Sequence, residues 1–248
     1  MRIYACADYR AMSRRAASII AAQVVLKPDC VLGLATGSTP VGAYEQLVKW
    51  YQQGDLSFAQ TRSVNLDEYQ GLAPTHDQSY RYFMQQNLFN HIDIVPENTH
   101  VLNGLAEDPA AECAAYDQMI RDLGGVDLQL LGMGHNGHIA FNEPGDDFGL
   151  GTHVVTLSER TIDANQRFFA SRDDVPRHAL SMGIKSIMSA RRILIVVSGA
   201  DKAEALCQAV SGPVTNQVPA SVLQLHPDVT LVADEAALSK LRQAGAVL

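Results

Sequence analysis

Short apolar runs alternate along the chain with stretches of helical periodicity. The runs are partly β-branched and bounded by Gly, Asp or Ser, as buried strands are. They lie at Val31–Ala35, Ser63–Leu66, Leu128–Gly132, Ile193–Ser198 and Thr230–Ala233. Between them, apolar residues recur every three or four positions, which predicts six helices. These are Tyr9–Leu26, Pro40–Gln53, Ser79–His91, Pro109–Leu123, Lys202–Val210 and Glu235–Gln243.

This order of elements predicts an α/β fold, because alternating strands and helices pair in parallel through right-handed crossovers. We expect a doubly wound, mainly parallel sheet with helices on both faces, of Rossmann-like type. No repeat or Pro/Gly-rich linker interrupts the 248 residues, so a single domain over residues 1–248 is expected. Ligands of such sheets bind beyond the carboxyl ends of the strands. The loops that follow the strands are therefore expected to hold the chemistry.

Composition excludes several classes of function. A net charge of −8 argues against a nucleic-acid surface, since phosphate backbones are bound by clustered Lys and Arg. No stretch approaches the roughly 20 apolar residues that span a bilayer, and the N-terminus lacks the pattern of a secretion signal. A cytoplasmic protein without membrane contact is predicted. The widely spaced cysteines form no C-x-x-C pair, so we expect them reduced and mostly buried: Cys6, Cys30, Cys113 and Cys207.

The loop after the first apolar run is suited to an anion. Thr39 is a good N-cap and Pro40 a good first helical residue, so a helix is predicted to begin here with its free amides towards the sheet edge. Gly37 lets the backbone approach a ligand closely, and the Ser38 and Thr39 hydroxyls add donors. The spacing differs from that of a nucleotide P-loop. An ordinary capped turn is the alternative.

The second loop places two acids, Asp67 and Glu68, at the end of a strand. Adjacent side chains on extended backbone point in opposite directions, so one is expected to enter the cleft and the other to point away. A carboxylate in a partly dry pocket is a competent general base, because burial raises its pKa. A solvated acidic turn is the alternative.

The third loop, GMGHNGHIAFNEPG, crowds glycines, histidines, asparagines and a glutamate at a strand exit. His135 and His138 are separated by a glycine that favours a turn, and no third ligand follows at the usual spacing, so we predict no metal. His138 is interpreted as an acid/base group that Glu143 orients or charges. A histidine satisfied within a tight turn is the alternative.

The fourth loop contains Ser198, Asp201 and Lys202 before a helix. Ser198 or Asp201 can cap that helix, which would place Lys202 in its first turn. A cation is disfavoured there by the helix dipole unless an anion lies nearby. With Ser38 and Thr39, Lys202 would complete a phosphate site; an exposed lysine is the alternative.

Six segments along nearly the whole chain resemble the glucosamine-6-phosphate deaminase family: LATGSTP, VNLDEYQGL, GHNGHIAFNEPG, ANQRFF, SGADKAEAL and SVLQLHP. The resemblance implies a sugar-phosphate substrate, no cofactor, and conversion of glucosamine 6-phosphate to fructose 6-phosphate and ammonia. It implies that Asp67 moves the C2 proton and that His138, held by Glu143, assists ring opening. It also implies four phosphate ligands and two glycines that shape the pocket: Ser38, Thr39, Arg167, Lys202, Gly37 and Gly137.

Two departures from the family pattern matter. Many members resemble this chain but have Asp in place of Asn136; an amide cannot exchange that proton, so Asn136 is interpreted as a hydrogen-bonding positioner of the site. Members activated by N-acetylglucosamine 6-phosphate are basic near the segment aligned with His153–Thr156, which here carries no Lys or Arg. We therefore expect no such activation and a monomer or small homo-oligomer.

Two other functions are possible on the same fold. A 6-phosphogluconolactonase would need no C2 proton transfer. Those enzymes typically carry Asp-Glu-Arg where this chain has Asp67-Glu68-Tyr69, and a different sequence follows their histidine, where this chain has Glu143. A non-catalytic sugar-phosphate sensor would be expected to carry a DNA-binding module. No helix-turn-helix segment or basic face is left over in the sequence.

Overall fold

The computed structural model describes residues 1–166, 169 and 171–245. In this part of the chain, strands and helices alternate as the sequence predicts. The strands are β1 (Arg2–Cys6), β2 (Val31–Leu34), β3 (Arg62–Asn65), β4 (Asp67–Tyr69), β5 (Thr99–His100), β6 (Leu128–Leu131), β7 (His153–Thr156), β8 (His178–Ser181), β9 (Ile193–Val197) and β10 (Val229–Asp234). The helices are α1 (Tyr9–Leu26), α2 (Ser38–Gln52), α3 (Tyr80–Asn87), α4 (Pro109–Asp122), α5 (Glu159–Asn165), α6 (Ile184–Met188), α7 (Ala203–Ser211) and α8 (Glu235–Gln243).

Seven of the described strands form one parallel sheet in the order β1-β10-β9-β6-β2-β3-β5. The chain moves outward from β2 through β3 to β5 and then returns to β6 on the other side of β2. Right-handed crossovers in the two directions put helices on opposite faces. The prediction of a doubly wound parallel sheet is confirmed. The strand order reverses between β2 and β6, where such sheets bind ligands.

The central strands are buried along their whole length, because helices cover both faces of the sheet. Every residue of β2, β6 and β9 is buried, which explains why these strands read as continuous apolar runs. The side chain of one polar residue, Gln129 on β6, packs against Gly33 of the neighbouring strand β2. A Cβ at Gly33 would come within 2.1 Å of its Oε1 atom, so only a glycine leaves room for that side chain.

A second, antiparallel sheet was not predicted from the sequence. It has the order β4-β8-β7, and Asp67 on β4 pairs with Ser181 on β8. β4 follows β3 after one residue, so the chain leaves the central sheet and enters the small sheet at Asp67. Its strands, DEY, HVVT and HALS, contain no continuous apolar run of the kind that predicts the central strands. The small sheet holds the backbone of Asp67 at the carboxyl end of β3.

Most predicted boundaries agree with the structure to within a few residues. The helix predicted over Ser79–His91 is shorter: Ser79 caps α3, and a 3₁₀ turn covers Phe89–His91. β1 was not predicted, because this edge strand has only one buried residue. The four cysteines are free and three are buried, as expected. No helix among the described residues is long and apolar enough to cross a membrane.

Candidate functional site

The anion corner lies between β2 and α2. The prediction that Thr39 is the N-cap is wrong: α2 begins at Ser38, and Gly37 is the N-cap with φ 92°. A Cβ at Gly37 would meet nothing within 4 Å, so the backbone conformation, not space, requires glycine there. Pro40 still fits the first turn, where amides have no intrahelical partner. The Tyr9 hydroxyl donates to the Ser38 carbonyl at 3.1 Å and accepts from Gly42 N at 2.9 Å, which fixes the start of the helix.

Asp67 and Glu68 point in opposite directions, as predicted. Asp67 lines a cleft at the carboxyl end of the sheet and is 7% exposed. Burial raises the pKa of its carboxyl to about 8, and the neighbouring Glu68 adds to the rise. Asp67 therefore has the strongly raised pKa that is typical of a proton-transfer group.

Glu68 instead points away from the cleft and accepts hydrogen bonds from backbone N–H groups. Its Oε1 accepts from Tyr69 N and Tyr80 N, both at 2.9 Å, and its Oε2 accepts from Arg81 N at 3.0 Å. Burial raises the pKa of Glu68 against the opposing effect of these hydrogen bonds. Because Tyr80 and Arg81 begin α3, Glu68 ties that helix to β4. Both carboxylate oxygens of Glu68 are thus engaged by backbone N–H groups.

The third loop brings His138 and Glu143 together. Nδ1 of His138 lies 3.3 Å from Oε1 of Glu143, and both side chains are largely buried. Burial opposes the charge of Glu143, but His138 and hydrogen bonds from Thr161 and Asn136 outweigh it and lower its pKa to about 2. Glu143 is therefore a stable carboxylate that faces the imidazole of His138, an arrangement suited to orienting that ring.

Asn136 contacts both members of this pair. Its Nδ2 donates to Oε2 of Glu143 at 2.6 Å, and its Oδ1 accepts from the backbone N–H of His138 at 3.2 Å. The side chain therefore bridges the carboxylate and the backbone of the histidine. This geometry is that of a positioner, because both polar atoms of the amide are engaged within the loop.

Glycines and backbone strain shape this loop. A Cβ at Gly134 would lie 2.2 Å from Cε1 of His138, so the imidazole occupies the space that any other residue would fill. Sequence reasoning did not single out Gly134. Gly137, which the resemblance places in the pocket wall, has φ 82° and abuts Val218, and it does not line the cleft. Ala140, which lines the cleft, has φ 51°, a conformation that non-glycine residues adopt mainly at constrained sites.

The fourth loop brings Lys202 to the cleft but not by the predicted capping. Lys202 ends a 3₁₀ turn before α7, which has no side-chain cap. The Ser198 hydroxyl instead donates to Asp234 at 2.5 Å, and Asp201 pairs with His135 at 2.6 Å. Both acids hold neighbouring loops in place, since each contact joins two strand exits. Neither predicted cap forms, because α7 begins at Ala203 and its N-cap position is occupied by Lys202.

These loops enclose one cleft of about 290 Å³. This volume lies near the lower end of the roughly 300–1,000 Å³ typical of small-ligand sites. It is lined by eight of the residues predicted for the site: Gly37, Ser38, Thr39, Asp67, Asn136, His138, Glu143 and Lys202. Arg167 lies outside the described residues. Tyr80 and Thr161 also line the cleft. Sequence reasoning missed both because they lie on helices, outside the loops that directly follow the predicted strands.

Aromatic rings wall the cleft beside Asp67. The Tyr80 ring stacks on Phe141 with a centroid distance of 6.2 Å, and it lies 4.8 Å from the Tyr69 ring. Burial raises the pKa of Tyr80 well above its ordinary value. Among the described residues, no group of three or more His, Cys, Asp or Glu side chains is placed to hold a metal ion.

The family model for glucosamine-6-phosphate isomerases/6-phosphogluconolactonase matches residues 7–232. The chain belongs to this family. Its curated relatives include the glucosamine-6-phosphate deaminase of Lachnoclostridium phytofermentans, 59% identical over 94% of this chain and 98% of that protein. The glucosamine-6-phosphate deaminase of Clostridioides difficile is 55% identical over 97% of each chain. The predicted family resemblance is therefore confirmed.

Solved structures of the family superimpose on the described fold. A monomeric glucosamine-6-phosphate deaminase aligns with a TM-score of 0.94 and 48% identity, over 97% of this chain and 100% of that one. The 6-phosphogluconolactonase from Trypanosoma cruzi aligns with a TM-score of 0.76 and 18% identity, over 97% of this chain and 96% of its own. The second likeness is one of fold alone, whereas the first extends along the whole sequence.

Proposed function

We propose that this protein converts D-glucosamine 6-phosphate to D-fructose 6-phosphate and ammonia, by aldose–ketose isomerisation with deamination. The observation that carries the proposal is the cleft itself. It joins the buried Asp67 carboxyl, the His138–Glu143 pair and an anion corner that contains Lys202. The relatives at 55–59% identity are named glucosamine-6-phosphate deaminases, which supports the same assignment.

The anion corner binds the phosphate in this proposal. The amides and hydroxyls of Ser38 and Thr39 at the N-terminus of α2 donate to its oxygens, and Lys202 supplies positive charge. Arg167 is proposed as a further phosphate ligand on the family resemblance. Anchoring one end of the sugar restricts the open chain, so binding energy far from the reacting carbons orients C1 and C2 towards Asp67.

Ring opening is assigned to His138. The imidazole removes the proton from the C1 hydroxyl and returns one to the ring oxygen, which leaves a C1 aldehyde. Glu143 stabilises the imidazolium that forms in between, and Asn136 keeps the carboxylate in place. Because the aldehyde acidifies the neighbouring C2–H bond, a carboxylate is then a strong enough base.

Isomerisation is assigned to Asp67. Its ionised carboxylate removes the C2 proton to give an enolamine, with a proton added to O1, and then returns the proton to C1. Loss of a proton from nitrogen leaves an imine at C2. Water adds to that carbon and ammonia departs, which gives the ketone. Each positioned proton-transfer group typically contributes about 10²–10⁴ in rate.

Ammonia and fructose 6-phosphate are the products to measure, with purified protein and glucosamine 6-phosphate. We expect Asp67→Asn to lower kcat by orders of magnitude while substrate still binds. The exposed Asp55→Asn is the matched control and should behave as wild type. Binding without either product would instead support a sensor, and turnover of 6-phosphogluconolactone alone would support a lactonase. Full activity of Asp67→Asn would reassign the base.

We further propose that the protein acts as a monomer or dimer without activation by N-acetylglucosamine 6-phosphate. On the family resemblance, the segment that corresponds to the basic region of activated members is β7, which lacks Lys and Arg. Its His153 Nδ1 contacts the Gly151 carbonyl at 2.9 Å. The solved structure at 48% identity is that of a monomeric enzyme. Light scattering and rates with added N-acetylglucosamine 6-phosphate test this; a strong rate response would contradict it.

A further inference from the structure

A hydroxyl on α5 reaches the His138–Glu143 pair from outside the third loop. Oγ1 of Thr161 donates to Oε1 of Glu143 at 2.7 Å, across 18 positions of sequence. Thr161 also lines the cleft. The hydroxyl of a helical Thr can bond to the backbone carbonyl one turn earlier or point to solvent. Here the hydroxyl is directed at a carboxylate of the candidate site.

The two oxygens of Glu143 are held by different elements. Oε2 accepts from Asn136 at 2.6 Å, and that residue belongs to the same loop as Glu143. Oε1 accepts from Thr161 and is the oxygen that lies 3.3 Å from Nδ1 of His138. Short hydrogen bonds to both oxygens prevent rotation of the carboxylate. Without Thr161, only the Asn136 side would be fixed, and the oxygen that faces the imidazole would be free to swing.

The start of α5 orients the Thr161 hydroxyl. Ser158 caps the helix by accepting from Thr161 N at 3.2 Å, and its own hydroxyl donates to Oγ1 of Thr161 at 3.0 Å. An acceptor position of Oγ1 is thus occupied by Ser158, which leaves its hydrogen for Glu143. The three groups form a directed chain of hydrogen bonds from Ser158 to Thr161 to Glu143, and such chains strengthen their members.

We propose that Thr161 is a positioning residue, whose hydroxyl holds Oε1 of Glu143 towards His138 and couples α5 to the ring-opening pair. This role rests on the proposed function, because His138 must exchange protons with the sugar for the position of Glu143 to affect turnover. Ile162 of α5 also packs in the apolar cluster that contains Tyr69 and Phe141, and this packing holds the helix in place.

Four replacements separate the hydroxyl from the shape of the side chain. Thr161→Val keeps the volume and removes the hydroxyl, whereas Thr161→Ser keeps the hydroxyl. Thr161→Ala and Thr161→Ser form a second pair that differs by one hydroxyl. This pair serves if Val disturbs folding, because Ala favours a helix more than Val does. Thr156→Val makes the same Thr-to-Val change at an exposed position of β7 outside the cleft and is the control.

We expect Thr161→Val and Thr161→Ala to lower kcat about 10–100-fold with KM changed less than about twofold. Thr161→Ser and Thr156→Val should stay within about threefold of wild type. Unchanged kcat in the Val and Ala variants would overturn the proposal. A rise in KM alone would make Thr161 a substrate ligand instead. Equal loss in the Ser variant would make its role one of packing. Lack of deamination by the wild type itself would refute the proposed function. It would not bear on the hydrogen bond between Thr161 and Glu143, which hydrogen exchange tests separately.

Hydrogen exchange of the substrate-free protein tests the coupling without turnover. If Thr161 ties α5 to the third loop, the amides of Glu159–Asn165 should exchange faster in Thr161→Val than in wild type, with Thr161→Ser close to wild type. The control Thr156→Val should leave their exchange unchanged. Equal exchange in Thr161→Val and wild type would show that the hydroxyl does not hold α5, and the proposed coupling would be wrong.

Discussion

Replacing Asp67 by Asn should stabilise the protein at neutral pH while it removes the proposed base. In the folded chain the pKa of Asp67 is raised from 3.8 to about 8, chiefly by burial and further by Glu68. Below about pH 4 the carboxyl is protonated in both the folded and the unfolded chain. As the pH rises from there to about 8, only the unfolded chain ionises. The wild type therefore loses stability over this window, and an uncharged Asn does not.

The magnitude follows from the size of the pKa change. From 3.8 to about 8 is about four pH units, and at about 1.4 kcal/mol per unit the full penalty is at most ~6 kcal/mol. Nearly all of this pH range lies below pH 7.5, so we expect Asp67→Asn to raise the free energy of unfolding by several kcal/mol, at most ~5 kcal/mol, at pH 7.5.

Urea unfolding of both proteins between pH 5 and 9 measures this effect. The stability difference should grow with pH up to about 8 and then level off. Glu68→Gln is the matched control, because the neighbouring carboxylate is also buried but needs both oxygens as acceptors. An amide nitrogen placed against Arg81 N should destabilise the protein by about 1–3 kcal/mol. A pH-independent difference, or an Asp67→Asn protein less stable than wild type, would refute the reasoning.

Three further outcomes are expected. Lys202→Ala should mainly raise KM for glucosamine 6-phosphate, since it removes a charge-assisted phosphate contact; a fall in kcat alone in steady-state assays would contradict this. Gly134→Ala should displace the His138 ring and lower kcat about 10–100-fold, because its Cβ would lie 2.2 Å from Cε1 of that ring; unchanged kcat would disprove the packing argument. The wild-type kcat/KM should rise with pH towards about 8 as Asp67 ionises; a flat profile from pH 6 to 9 would exclude Asp67 as the base.

The opposite environments of Asp67 and Glu68 result from one change of sheet. β3 ends at Asn65 and β4 begins at Asp67, so the chain turns into the small antiparallel sheet where the two acids lie. Pairing of β4 with β8 fixes the backbone, and the pleat then sends one carboxylate into the cleft and the other towards α3. Neighbouring residues of similar chemistry thus acquire separate environments: Asp67 lines the cleft, where we propose that it transfers protons, and Glu68 holds the start of a helix.

The sequence by itself determined the parallel sheet and the position of the site. Helices cover both faces of strands β2, β6 and β9, so these strands consist of nearly continuous apolar residues. Such runs can be recognised in the sequence without knowing which elements pack against them. Parallel strands bring their carboxyl ends to one edge, which is why the loops with Ser38 and His138 could be assigned to one site. The divergence of Asp67 and Glu68 also follows from the local period of two residues in a strand.

Only the tertiary structure decided which side chains complete that site. Thr161 meets Glu143 across 18 positions, and Ser198 donates to Asp234 across 36. Gly134 is required because of where the His138 ring lies. A local pattern records which face of an element is buried, because burial acts on each residue separately. A contact between distant segments depends instead on how whole elements pack together, and the sequence near either partner does not contain that information.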